Sequence, residues 1–76
     1  MSINGLMDRF RKEFPTFHEW EKHLYLFMVL GFSARAISIF QGVKIDVVYT
    51  RKSALKRKIK ASNSAYKDEF LVYMEG

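Results

Sequence analysis

Four interruptions of one helical rhythm constrain this chain more than anything else in it: Pro15, Gly31, Gly42 and the run Ser62-Asn63-Ser64. Between them apolar residues recur at spacings of three and four. No stretch alternates apolar with polar long enough to suggest a strand. An all-α fold follows, a small bundle of four to five helices. With 76 residues the chain makes one modest domain, burying ~60% of its unfolded surface and leaving little room for an enzyme pocket. Its 49% hydrophobic content, with seven Phe and four Tyr, is core material rather than the composition of a disordered tail.

The breakers delimit the segments. Residues 3–14 place Ile3, Met7, Phe10 and Phe14 in line, and Pro15 disfavours helical geometry at Phe14. The second helix has two candidate starts, Thr16 with Glu19 or His18 with Glu21, each with capping-box spacing. Its body carries Trp20, Leu24, Phe27, Met28 and Leu30 toward one side and stops at Gly31. Ser33 caps a short helix over residues 34–41, with Ile37 inward and Phe40 or Gln41 completing that side. A long helix then runs from residue 44 or 45 to about 60, and a last one over residues 65–74 lines up Tyr66, Phe70 and Met74. Two helices joined by a short turn containing Gly have the sequence form of a helix-turn-helix.

Charge is unevenly spread. Net charge is +5, and from Lys22 to Lys67 there are ten Lys or Arg against one acid, Asp46. An acidic partner is implied. The densest stretch, "VVYTRKSALKRKIK", holds six cations and no acid. At about 100° per residue, Val48, Leu55 and Ile59 fall on one narrow seam, and Asp46, Thr50, Ser53 and Arg57 fall opposite. Arg51, Ala54 and Lys58 line one flank; Tyr49, Lys56 and Lys60 line the other. Three aliphatics on a seam are too few for a membrane-lying face. Short central residues edged by cations suit a helix in the DNA major groove.

The stretch "GFSARAISIFQGVKIDVVYTRKSALKRKI" resembles the LuxR/GerE-type helix-turn-helix of the winged-helix-like DNA-binding superfamily. Gly31, Ser33, Ile37, Val43, Val48, Arg57, Lys58 and Ile59 take matching places without a gap. Upstream, "FHEWEKHLYLFMVLG" is similar to that family's first helix. With "RFRKEFP" and "FLVYM", the whole chain most resembles the C-terminal output domain of Bacteroidetes transcriptional regulators. The resemblance implies that residues 45–60 read double-stranded DNA. It places Asp46, Val47, Thr50, Arg51 and Ala54 at the bases, with Thr50 and Arg51 doing most of the discrimination, and Lys58 with Arg35, Arg51 and Arg57 near phosphate; Lys44 is a further candidate DNA-binding residue. Gln41 stands where the family has Leu, Lys44 where it has a Ser or Thr cap, and Asp46 where it has a cation or small polar residue.

Several readings stay open at this level. Residues 1–15 form an amphipathic helix that folds onto its own domain, makes a homodimer contact through Ile3, Met7, Phe10 and Phe14, or ends a coiled coil; residues 16–76 form the helix-turn-helix domain. Tyr49 either contacts a phosphate or seals the core edge. Lys44 and Asp46 favour an alternative in which the same core docks on an acidic partner of the transcription machinery, RNA polymerase among the candidates.

Other chemistries find no support. No cysteine is present, which removes disulfides and thiolate metal sites. His18 and His23 lack accompanying ligands, and no serine has a partnering histidine and acid. No enzyme activity, metal or cofactor is expected. The longest apolar stretch falls far short of the ~20 residues that cross a bilayer, and no basic start precedes an apolar run. A cytoplasmic protein without a membrane role is the expectation.

Overall fold

In the computed structural model, which describes residues 2–75, each breaker ends a helix. The helices are α1 (Ile3–Glu13), α2 (Glu19–Val29), α3 (Ala34–Gln41), α4 (Ile45–Lys60) and α5 (Lys67–Glu75), with no strand among the described residues. The chain is all-helical. Met1 and Gly76, the outer limits of the two expected units, lie outside the described residues.

Local chemistry sets the ends. The Ser2 hydroxyl accepts from Gly5 N–H at 3.0 Å and opens α1. Phe14, forced from helical geometry by Pro15, closes it at φ −127°, ψ 60°. Of the two starts offered for α2, the second is used, since Glu21 Oε1 accepts from His18 N–H at 2.8 Å. At its other end Gly31 takes φ +82°. Phe32 N–H then reaches Phe27 O and Gly31 N–H reaches Met28 O, both at 3.1 Å, the paired bonds of a Schellman stop. Ser33 Oγ accepts from Ala36 N–H at 3.2 Å and begins α3.

Gly42 repeats the device at φ +66°, with Val43 N–H on Ser38 O at 3.0 Å. A Cβ added at Gly42 would meet nothing within 4 Å. Gly42→Ala should therefore cost only the backbone penalty of left-handed geometry, about 1 kcal/mol, read as a lower urea midpoint with an unchanged slope.

The last helix starts two residues later than its periodicity suggests. Ser64 Oγ accepts from Tyr66 N–H at 3.1 Å, and Phe70 N–H bonds Tyr66 O at 3.0 Å, so Tyr66 stands at the helix entrance. Phe70 and Met74 are buried as expected, but Tyr66 is exposed. Its ring instead carries the Arg9 guanidinium, 4.5 Å from the centroid, while Arg9 Nη1 pairs with Glu69 at 3.2 Å.

The core gathers around Phe10. Its ring stacks on Tyr25 with centroids 4.2 Å apart and meets Phe14, Phe17 and Phe70 edge-on at 5.0, 5.8 and 5.4 Å. Met7, Phe10 and Phe14 thus lie within the chain's own core, and of the four residues considered for a dimer contact only Ile3 is exposed. Dimerising through that line would require unpacking α1. Residues 3–14 and the remaining helices share one core, because α1 supplies the rings around which α2 and α5 close.

Tyr25, fully buried, satisfies its hydroxyl by donating to Phe70 O at 2.9 Å. Burial pushes this phenol well above its ordinary pKa, and Glu69 and Tyr73 add to the shift. It stays a neutral donor through the physiological range.

Candidate nucleic-acid interface

A long helix can present a face only if its opposite side is held. In α4 that role falls to Val48, Leu55 and Ile59, all fully buried. The core grips α4 along this seam, with α3 on one side and α5 on another. Turned away from it, Asp46, Thr50, Ser53, Ala54 and Arg57 are exposed. Two helices, α3 and α4, meet through the three residues Gly42, Val43 and Lys44. The angular division read from the sequence is the one that packing enforces.

The first turn of α4 has no side-chain cap at Lys44. Asp46 Oδ1 accepts from Val47 N–H at 3.0 Å and so supplies part of the missing satisfaction, while its charge suits the positive end of the helix dipole. Thr50 Oγ1 donates back to Asp46 O at 3.1 Å, leaving its methyl group and its oxygen lone pairs for a ligand. Val47 is half-buried where it meets α3. Lys44 and Arg35 are exposed, and their side chains, like that of Arg57, have no hydrogen-bonded or ion-paired partner among the described residues.

Two of the flank cations are engaged inside the molecule. Lys58 Nζ lies 2.9 Å from both carboxylate oxygens of Glu21 and 4.1 Å from the centre of the Phe17 ring. Glu21 is only 3% exposed and is the one buried charged side chain among the described residues. A buried carboxylate without a partner is costly, so this ammonium is held by the start of α2. No spacing in the sequence announces the pair, since 37 residues separate its members.

Arg51 is the second. Its Nη1 donates to Gln41 Oε1 at 3.1 Å, and its guanidinium lies 4.5 Å over the Trp20 ring. Gln41 Nε2 in turn donates to Trp20 O at 3.0 Å. The glutamine at the resemblance's leucine place thereby ties α2, α3 and α4 together, and Arg51 is turned toward that junction. On the other flank Tyr49 is 58% exposed and does not seal the core; Lys52 Nζ stands 5.9 Å from its ring centre.

Thr50, Ser53, Ala54 and Arg57 therefore stay outward beside Asp46, with Arg35 and Lys44 among the further unengaged cations. Among the described residues no group of three His, Asp or Glu side chains is placed to hold a metal ion, and no helix is long and apolar enough to cross a membrane. Compared with known proteins, the chain matches no protein-family model, no curated protein and no solved structure.

Proposed function

We propose that the chain binds double-stranded DNA, with the outward strip of α4 in the major groove, as the output domain of a bacterial transcriptional regulator with a LuxR-like helix-turn-helix. The observation that carries this reading is the make-up of that strip. Thr50, Ser53 and Ala54 are exposed and short, Arg57 is exposed and unpaired, and the opposite side of the same helix is fully buried. Short side chains let a helix approach base edges in a groove ~12 Å wide, and cations at its margins meet phosphate. The register kept with the LuxR/GerE pattern over residues 17–59 supports the same assignment.

The roles differ in part from those the resemblance implies. Arg57, Arg35 and Lys44 take phosphate, being free of internal partners. Thr50, with Val47 and Ala54, discriminates bases through a hydroxyl and apolar contacts to thymine methyl groups. Asp46 belongs to the helix start. Arg51 and Lys58 hold α4 against α2, and their contribution to affinity is through the placement of the helix.

Titration against random duplex and single strands at two salt concentrations tests the reading. Duplex binding should appear at low salt and fall steeply as salt rises. Arg57→Ala should weaken every duplex and lower the salt slope by about one, whereas Thr50→Ala should change the sequence recovered from a selection pool. No duplex binding at low salt would overturn the proposal.

A further inference from the structure

Beside the outward strip of α4 the molecule carries a second surface that duplex binding does not use. Phe27, Phe32 and Phe40 form a triangle of rings with centroids 5.2 to 5.9 Å apart. Phe27 is partly buried, yet Phe32 is 40% and Phe40 56% exposed. The contact between Phe27 and Phe32 has a local cause, because it accompanies the Schellman stop of α2. Phe40 has no such cause. It arrives from α3 and lies outside the core, where its ring extends the pair into an apolar platform.

The platform continues into a recess of about 330 Å³ lined by Trp20, His23, Phe27, Phe40, Gln41 and Arg51. That volume is at the low end for ligand sites and suits one or two side chains. Arg51 forms its cationic wall. Its guanidinium is fixed over Trp20 and spends one N–H on Gln41. Further donors of the five it carries remain for an anion.

The occupant follows from charge. From Lys22 through Lys67 the only acid is Asp46, so the charged side chains of α3 and α4 are cationic apart from Asp46, and Glu19, next to Trp20, is paired with Lys22 at 3.3 Å. A second copy of this chain, also at +5, would bring like charges together across such a contact. A cationic or neutral segment would forgo Arg51.

We propose that this corner is a docking surface for an acidic amphipathic protein segment, which sets an apolar side chain between Phe27, Phe40 and Trp20 and a carboxylate on Arg51. An amphipathic helix laid in an apolar groove with charged margins is a common recognition mode. The surface is separate from the strip of α4 assigned to DNA, and the inference does not depend on that assignment.

Trp20 is the chain's single tryptophan, so its emission reports directly on the recess. The probe is a synthetic helix-forming peptide of about twelve residues that pairs Asp and Glu with Leu and Phe. Controls are the same peptide with Lys in place of the acids, and with Ser in place of Leu and Phe. The acidic amphipathic peptide should shift Trp20 emission saturably, and amide NMR shifts should centre on residues 20–32 and 40–41. Phe40→Ala should weaken binding about tenfold while leaving the amide spectrum away from this corner and the duplex affinity unchanged. Arg51→Ala, with its fold verified by the amide spectrum, should weaken it as well.

Equal binding of the Lys peptide or the Ser peptide would overturn the proposal. So would amide shifts centred on Ser53 and Arg57, undiminished binding to Phe40→Ala, or no binding at millimolar peptide. A concentration-dependent rise in mass that Phe40→Ala abolishes would assign the corner to self-association instead. Peptide binding without duplex binding would leave this inference standing and remove the other.

Discussion

Phe10→Ala should remove a large part of the stability of the fold. The ring is fully buried and touches four other aromatic side chains drawn from α2, α5 and the turn between α1 and α2. Removing such a ring costs about 3–5 kcal/mol, the sum of lost transfer energy and the cavity left behind. A domain of this size is stable by about 4–11 kcal/mol in all. The variant should therefore melt at least ~12 °C lower or lose its cooperative transition. Urea unfolding followed by far-ultraviolet circular dichroism measures it; a loss below about 1 kcal/mol would mean that α1 is an appendage and that the core closes without it. Ile3→Ala is the internal control, since Ile3 lies on the same helix but is 41% exposed.

Lys58→Ala has the second large effect, and it falls on stability rather than on DNA alone. The substitution leaves the Glu21 carboxylate, 3% exposed, with the His18 N–H as its one remaining hydrogen-bond donor. An unpaired buried charge is strongly unfavourable, but Lys58 is itself 43% exposed, so water enters when it is removed. The expected loss is about 1–3 kcal/mol. Pairing Lys58→Met with Glu21→Gln should recover part of it, because neither side then carries a charge that needs the other. Thermal melts of the two single variants and the double form the cycle. A Lys58→Ala protein that melts like the parent, yet binds duplex more weakly with a smaller salt slope, would return Lys58 to the phosphate contact that the sequence pattern implies.

These two expectations sit at opposite ends of what the chain discloses. Phe10 could be read as apolar and helical from its neighbours Met7 and Phe14, but not as the centre of the core. Its stacking partner Tyr25 is absent from the apolar line drawn for the second helix, because an aromatic carrying a hydroxyl reads equally well as a flank residue, and its edge-on partner Phe17 is absent because it precedes that helix. Only the carbonyl of Phe70, 45 positions away, makes Tyr25 burial affordable by accepting the hydrogen bond of its hydroxyl. Tyr66 went the other way. Periodicity put it in line with Phe70, and the Ser64 turn displaced it to the helix entrance, where Arg9 covers its ring.

The candidate interface divides in the same manner. Val48, Leu55 and Ile59 were legible as the buried seam of α4, so the outward placement of Thr50, Ser53 and Arg57 was legible too. The helical angles set Lys58 and Arg51 on a flank and Arg57 opposite the seam, but not that the two flank cations are engaged inside the molecule. Glu21 and Gln41 tell them apart, and both reach α4 from other helices.

What the amino-acid sequence determined by itself is therefore the number and limits of most helices and the face of α4 that turns inward. Those depend on interactions within about one turn: apolar spacing, Ser2 and Ser33 accepting from nearby amides, Pro15 barring helical geometry, and Gly31 and Gly42 adopting left-handed geometry at little cost. Only the tertiary structure decided which cations remain available to a ligand and where the apolar surface outside the core collects. Desolvating Glu21 demands a counter-charge, and the tertiary fold brings Lys58 of α4 to it across the chain; the meeting of α2 with α3 brings Phe40 onto Phe27 and Phe32.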